Sequence, residues 1–239
     1  MLTYAELQTK PQKLLALTGL ARREFDELLP VFSRVLAEAQ ASSQPKPKKR
    51  QRAPGGGRKP GLGPVADKLL FILVYTKTYP LQVVQGEMFG MSQPSANDWI
   101  QALLPVLRES LDRLGVLPER DGDQAARAAR RRGEPADLIV DGVERRRQRP
   151  KDPTEQVIHY SGKKKTHSDK NVLVVNTASR RVSYLSPTLP GAAHDKALAD
   201  HAKIQYPKSA ILRSDSGFRG YAPAVRVHLQ PKKSPRSTR

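Results

Sequence analysis

The sequence predicts an α + α/β chain: a helical half, then a mixed β-sheet half with helices. Three observations predict it. Up to Leu114, apolar residues recur at three- and four-residue intervals, the spacing of helix faces. From Asp137 onward they fall into short runs bounded by turn residues, the pattern of strands. Two charged stretches, 41–63 and 118–136, carry little apolar pattern and divide the chain.

Residues 1–40 read as helices. Phe25, Leu28, Leu29, Phe32, Val35, Leu36 and Ala39 form one apolar stripe, with Arg22, Arg23, Glu24 and Glu27 off it. Pro30 lies inside the pattern and predicts a kink or break. Gly19 separates this helix from a shorter one near Gln12–Leu17. Residues 41–63 read as a basic linker broken by Pro and Gly. They hold Lys46, Lys48, Lys49, Arg50, Arg52, Arg58 and Lys59 and no acid. Such a stretch is either a solvated spacer or an arm that orders on a polyanion.

Residues 64–117 read as helical again. Leu69, Leu70, Ile72, Leu73 and Val74 form a dense apolar helix opened by Pro64. Leu103, Leu104, Val106, Leu107, Leu111 and Leu114 form the last one, stopped by Gly115. Residues 118–136 form a charged connector with room for a helix over 124–132. Residues 137–239 supply strands at Leu138–Val140, Val172–Val175, Val182–Leu185, Ile211–Leu212 and Val225–Leu229. A helix over His194–Ile204 precedes the fourth of them.

Composition excludes several classes of function. The 239 residues contain no cysteine, so disulfide scaffolds, Cys-ligated zinc and thiol catalysis drop out. No apolar run approaches the roughly 20 residues that span a bilayer. Met1–Thr9 lacks the charged and apolar blocks of a secretory signal. The expectation is a cytoplasmic protein without a membrane partner. With 42 Lys+Arg against 23 Asp+Glu, the formal charge of +19 points to nucleic acid. Aromatic residues are only 5% of the chain, which argues against an RNA reader built on base stacking.

Within 81–105 the string LQVVQGEMFGMSQPSANDWIQALLP carries a helix-turn-helix pattern. Thr78 and Pro80 serve as start signals, Gly86 permits a close helix crossing, Phe89 and Met91 anchor the turn, and Ser92 is an N-cap candidate. Ala96, Trp99 and Ile100 then face inward. Gln93, Ser95, Asn97 and Gln101 are offered to a major groove, where Gln and Asn suit adenine edges. The plain alternative is a helical hairpin in a bundle.

Two acids end apolar runs. Asp141 follows Leu138-Ile139-Val140, and Asp215 follows Ile211 to Ser214. They lie 215 − 141 = 74 residues apart, so only the fold can unite them. Paired carboxylates at strand ends are hard ligands for Mg²⁺ or Mn²⁺ and suit phosphodiester chemistry. Asp195 reads as an early-helix cap or dipole partner, Asp152 and Glu155 as solvated loop charges, and His194 and His201 as surface residues. Lys163, Lys164 and Lys165 form either a solvated strand end or a phosphate contact.

Read in order, YSGKKKTH, PGAAHDK and SDSGFRGY resemble the catalytic domain of bacterial insertion-sequence DDE transposases, which are related to the PIF/Harbinger transposases. The stretch from GGGRKPGLG to MSQPSANDWI resembles the helix-turn-helix domain of the same proteins. The resemblance implies a ribonuclease-H-like sheet domain, a divalent cation, and metal-dependent strand cleavage and transfer in DNA recombination. It also implies double-stranded DNA at transposon ends as partner and a nucleoid-associated location. Its first two acids fall on Asp141 and Asp215. Its third is a Glu on a later helix, and QPKKSPRSTR supplies none. The expectation is therefore an incomplete, C-terminally truncated domain, inactive alone and completed by the missing segment or an intact transposase. The rival expectation is a non-catalytic DNA-binding module that regulates or complements such an enzyme.

Overall fold

The computed structural model describes residues 1–42, 61–131, 133 and 135–231. Two compact units divide the chain, residues 1–116 and 117–239.

The first unit is helical: α1 (Tyr4–Leu7), α2 (Pro11–Thr18), α3 (Arg22–Ser42), α4 (Val65–Thr78), α5 (Gln82–Phe89) and α6 (Gln93–Arg113). All six share one core. Phe25, Leu28, Phe32, Val35 and Leu36 of α3 pack with Leu69 to Val74 of α4 and with Ile100, Leu103, Val106 and Leu107 of α6. Each such buried side chain contributes about 1.5–3 kcal/mol of transfer free energy. Neither helical proline ends its helix. The helix α3 runs through Pro30, and α6 runs through Pro105, which joins the turn-following helix to the 103–114 helix. Both prolines are exposed, so the carbonyls they leave unbonded face solvent. Thr78 is also reassigned. It ends α4, its hydroxyl donating to the Val74 carbonyl at 2.8 Å, and α5 begins at Gln82 with Leu81 as N-cap.

The second unit contains α7 (Gly122–Arg131), β1 (Asp137–Arg146), α8 (Pro153–His159), β2 (Tyr160–Ser161), β3 (Thr166–Asn176), β4 (Val182–Leu185), β5 (Leu189–Pro190), α9 (Asp195–Ala202), β6 (Ile211–Ser214) and β7 (Val227–Leu229). Their sheet runs β2-β3-β1-β6-β7, with β4 and β5 also paired to β3. The β1–β3 ladder is antiparallel from Leu138↔Asn176 to Arg146↔Ser168. Strands β6 and β7 extend the sheet in parallel from β1. Leu138, Val140, Val172, Val174 and Leu212 point to one buried face, covered by Leu198 and Ala199 of α9 and closed by Tyr206, Phe218 and Tyr221.

Both long strands exceed the apolar runs that signalled them. Their extensions, Asp141–Arg146 and Thr166–Asn171, are mostly polar, and the cross-strand ladder rather than hydrophobicity sustains them. Asp141 therefore sits inside β1 and not at its end. Asp152 and Glu155 are not loop charges either. Asp152 is the N-cap of α8, and its carboxylate accepts the Glu155 N–H at 2.9 Å.

The close crossing of α5 and α6 depends on Gly86. A Cβ there would lie 2.6 Å from the Met91 carbonyl oxygen, a backbone atom that cannot swing aside. Gly86→Ala should therefore destabilise the first unit by about 1–3 kcal/mol, read as a fall in the denaturation midpoint. An unchanged midpoint would contradict this packing.

Candidate functional site

Two surfaces carry the sequence-derived candidates, one in each unit. In the first, α5 ends at Gly90, whose φ of 68° reverses the chain, and the Met91 N–H closes the turn on the Gly86 carbonyl at 2.9 Å. Phe89 is fully buried edge-on to Phe71, with ring centroids 4.9 Å apart. Ala96 and Ile100 are buried, and Trp99 packs against the core with the Lys68 ammonium 5.6 Å from its ring centroid. Burial pulls the Lys68 pKa below its ordinary value, while the neighbouring Asp67 opposes that shift. The outward face of α6 carries Gln93 and Ser95, both exposed, and Asn97, half-buried. Ser92 is the N-cap by backbone conformation. Its hydroxyl lies 3.1 Å from that of Ser95 and makes no capping bond. Lys48, Lys49 and Arg50 lie outside the described residues.

In the second unit the candidate centre is the pair of neighbouring parallel strands β1 and β6. Val140 pairs with Ser214 in register. Asp141 and Asp215 are the next residue of each chain segment, and both are exposed. Sequence separation gave no hint of this adjacency; strand pairing creates it. Asp141 accepts the Gly142 N–H at 2.7 Å, and Asp215 accepts the Gly217 N–H at 2.9 Å as cap of a short 3₁₀ turn, Ser216–Phe218. Each carboxylate is thereby fixed by its own backbone.

A third carboxylate, from α9, lies against the glycines that follow both aspartates. Asp195 opens that helix and wedges its side chain between two glycines. A Cβ on Gly142 would stand 2.7 Å from its Oδ1. One on Gly217 would stand 2.8 Å from its Oδ2 and 3.0 Å from the Asp215 Oδ1. The helix-dipole reading of Asp195 was incomplete, because it ignored what faces the helix start. The only available signal was that Asp141 and Asp215 are each followed within two residues by glycine. Lys170, largely buried on β3, holds Asp195 in place. Its Nζ donates to the Ala193 carbonyl at 2.9 Å and lies 3.5 Å from the Asp195 Oδ1.

Lys163, Lys164 and Lys165 form the tight turn between β2 and β3, all exposed. Ser161 closes it, its carbonyl accepting the Lys165 N–H at 2.8 Å and its hydroxyl the Lys164 N–H at 3.2 Å. Lys165 adopts a φ of 52°, which fixes the reversal. Nearby Glu144 accepts the Ser168 hydroxyl at 2.6 Å. Burial alone would raise its pKa, but hydrogen bonds from Ser161 and Ser168 and the charges of Lys170 and Lys164 outweigh burial and hold it low. His194 and His201 are exposed.

The donor set fits Mg²⁺ or Mn²⁺. Two carboxylates, each held by a backbone amide, offer hard oxygens, and the Asp195 carboxylate fills the space beside Gly142 and Gly217. Among the described residues no three Asp, Glu or His side chains gather closely enough to hold an ion by themselves. Among the described residues no helix is long and apolar enough to cross a membrane.

Residues 140–239 match the family described as DDE superfamily endonuclease. Residues 60–113 match the family described as helix-turn-helix of DDE superfamily endonuclease. No curated protein and no solved structure matches the chain. Asp141, Asp195 and Asp215 thus lie inside the endonuclease match, and α4 to α6 inside the helix-turn-helix match.

The glycine wedge yields a measurable coupling. Gly142→Ala should destabilise the chain by pushing on the Asp195 carboxylate, and Asp195→Ala should relieve most of that loss. A double-mutant cycle should give a coupling of about 0.5–3 kcal/mol. Strictly additive effects would contradict the contact.

Proposed function

We propose that this chain is a transposase of a bacterial insertion sequence, related to the PIF/Harbinger transposases. It binds duplex DNA at transposon ends and cleaves and joins strands at the Asp141–Asp215 centre during DNA recombination, close to the nucleoid. One observation supports the proposal: Val140 and Ser214 are register partners on parallel strands, and Asp141 and Asp215 are the residues that follow them within a stretch that matches the DDE superfamily endonucleases. The strand order, an antiparallel β4-β3-β1 set continued by parallel β6 and β7, supports a ribonuclease-H-like reading of the sheet.

In this reading Asp141 and Asp215 are the protein ligands of Mg²⁺ or Mn²⁺. Bound there, the cation supplies activation of the attacking water or 3′-hydroxyl and stabilisation of the leaving oxygen. The chain's own residues do the rest. The Gly142 and Gly217 amides hold the two carboxylates in orientation. Lys170 neutralises Asp195 at close range, which limits the negative charge that an incoming phosphate meets. The exposed turn Lys163–Lys165 contacts DNA phosphates, as do Lys48, Lys49 and Arg50. On α6, Gln93, Ser95 and Asn97 meet base edges.

Two measurements test the proposal. Joined to a segment that supplies the third acid, the chain should nick, with Mn²⁺ or Mg²⁺, duplexes that carry the element's terminal sequence, and Asp141→Asn or Asp215→Asn should abolish nicking while leaving DNA affinity within about twofold. Each substitution should also remove the rise in thermal midpoint that Mn²⁺ produces in the unmodified chain. Nicking that survives Asp215→Asn would refute the assignment. Binding should weaken steeply with salt. Replacing Lys163, Lys164 and Lys165 by Ala should reduce the slope of log K against log salt by roughly 0.9 for each phosphate these lysines neutralise. An unaltered slope would remove those lysines from the interface.

A further inference from the structure

The helix-turn-helix holds an arrangement of amides that neither the sequence pattern nor the family match assigns. Gln82 is the first residue of α5, and Gln93 is the first residue of α6. The Gln93 Nε2 donates to the Gln82 Oε1 at 2.6 Å, and the Gln82 Nε2 donates to the Asn97 Oδ1 at 2.9 Å. A single side chain from α5 thus bridges two candidate base-contacting side chains one helical turn apart on α6.

We propose that Gln82 is a specificity-determining positioning residue, locking the amides of Gln93 and Asn97 in the orientation from which they read bases. The inference rests on the reading of α6 as the base-contacting helix. Hydrogen-bond capacity supports it. A primary amide has two N–H donors and two acceptor lone pairs. Gln93 uses one N–H on Gln82 and keeps its oxygen and its second N–H. Asn97 uses one lone pair on Gln82 and keeps the other, together with both N–H groups. Each therefore retains the donor–acceptor edge that pairs with adenine N7 and N6. Gln82 itself keeps one N–H, enough for a phosphate oxygen alongside the groove.

The bridge also lowers the cost of recognition. An unrestrained Gln on a surface helix samples many rotamers and must lose that freedom when it meets a base. Here the freedom is already lost in the unbound protein, and the amide that restrains it is half-buried at the foot of α5. Gln85, one turn further along α5, is fully buried, and its Nε2 donates to the Phe71 carbonyl at 2.9 Å. That bond ties the α5 that carries Gln82 to α4, so the bridge stands on a fixed support.

The experiment is a binding-site selection with the full chain and a randomised duplex pool, followed by affinities for the selected and a scrambled duplex at one salt concentration. Gln82→Ala should lower the selected-to-scrambled affinity ratio by about fivefold or more, with the salt slope and the thermal midpoint unchanged. Gln82→Glu keeps the acceptor for Gln93 and loses the donor to Asn97. It should relax preference only at the base position that Asn97→Ala also relaxes. If Asn97→Ala relaxes preference and Gln82→Ala does not, the bridge is overturned while the reading of α6 stands. If neither Gln93→Ala nor Asn97→Ala changes the selected sequence, the reading of α6 fails and the bridge with it.

Discussion

The parallel pairing of β1 with β6 is the constraint on which the second unit depends. Four register pairs, Asp137↔Ile211 to Val140↔Ser214, join segments that are 74 residues apart in sequence. That separation is closed by the β3 return, the short β4 and β5 strands, and the α9 crossover, so every intervening element serves to bring β6 home. Long-range closure is entropically unfavourable. It is offset by burying Leu138, Val140 and Leu212 beneath Leu198 and Ala199. A one-residue slip would turn these side chains outward and exchange the faces of the aspartates. The apolar core thereby fixes the geometry of the polar centre.

Part of this was legible in the sequence, and the boundary has physical causes. Apolar periodicity found the stripes on α3, α4 and α6 because burial there is one-sided and regular. It placed Asp141 at a strand end, because the apolar run stops at Val140. The strand continues because β3 supplies a ladder partner as far as Arg146, information held 22 residues away at Ser168. Proline rules predicted a kink or break at Pro30, and the helix does not break there. An exposed proline on a helix whose opposite face is buried leaves its neighbour's carbonyl to water and leaves the packing intact. The reading of Asp195 was incomplete for a different reason. Its local context is that of a helix start, and only the fold sets Gly142 and Gly217 opposite it. The turn over Lys163–Lys165 was visible as a charge run, but its closure by both polar groups of Ser161 was not.

In the proposed reading the two units divide the work of nucleic-acid recognition by chemistry. The first offers neutral amides and a hydroxyl on one helix face, groups suited to base edges and poor at neutralising phosphate. The second offers carboxylates fixed by backbone amides and a turn of three exposed lysines, groups suited to a cation and to phosphate. The formal charge of +19 supplies attraction without sequence preference. Preference has to come from the few positions where an amide is held still. The fixed supports recur in both units: Gln85 on the Phe71 carbonyl, Ser161 under the lysine turn, Lys170 on the Ala193 carbonyl. In each, a buried polar side chain bonds to backbone.

The central claim is that one register pair makes Asp141 and Asp215 a single cation site. Its most direct test is anomalous diffraction from crystals of the chain grown with Mn²⁺. The account predicts a manganese peak within coordination distance of a carboxylate oxygen from both Asp141 and Asp215, with remaining positions filled by water. Manganese bound to only one of the two aspartates, or none at this strand pair at saturating Mn²⁺, would contradict it.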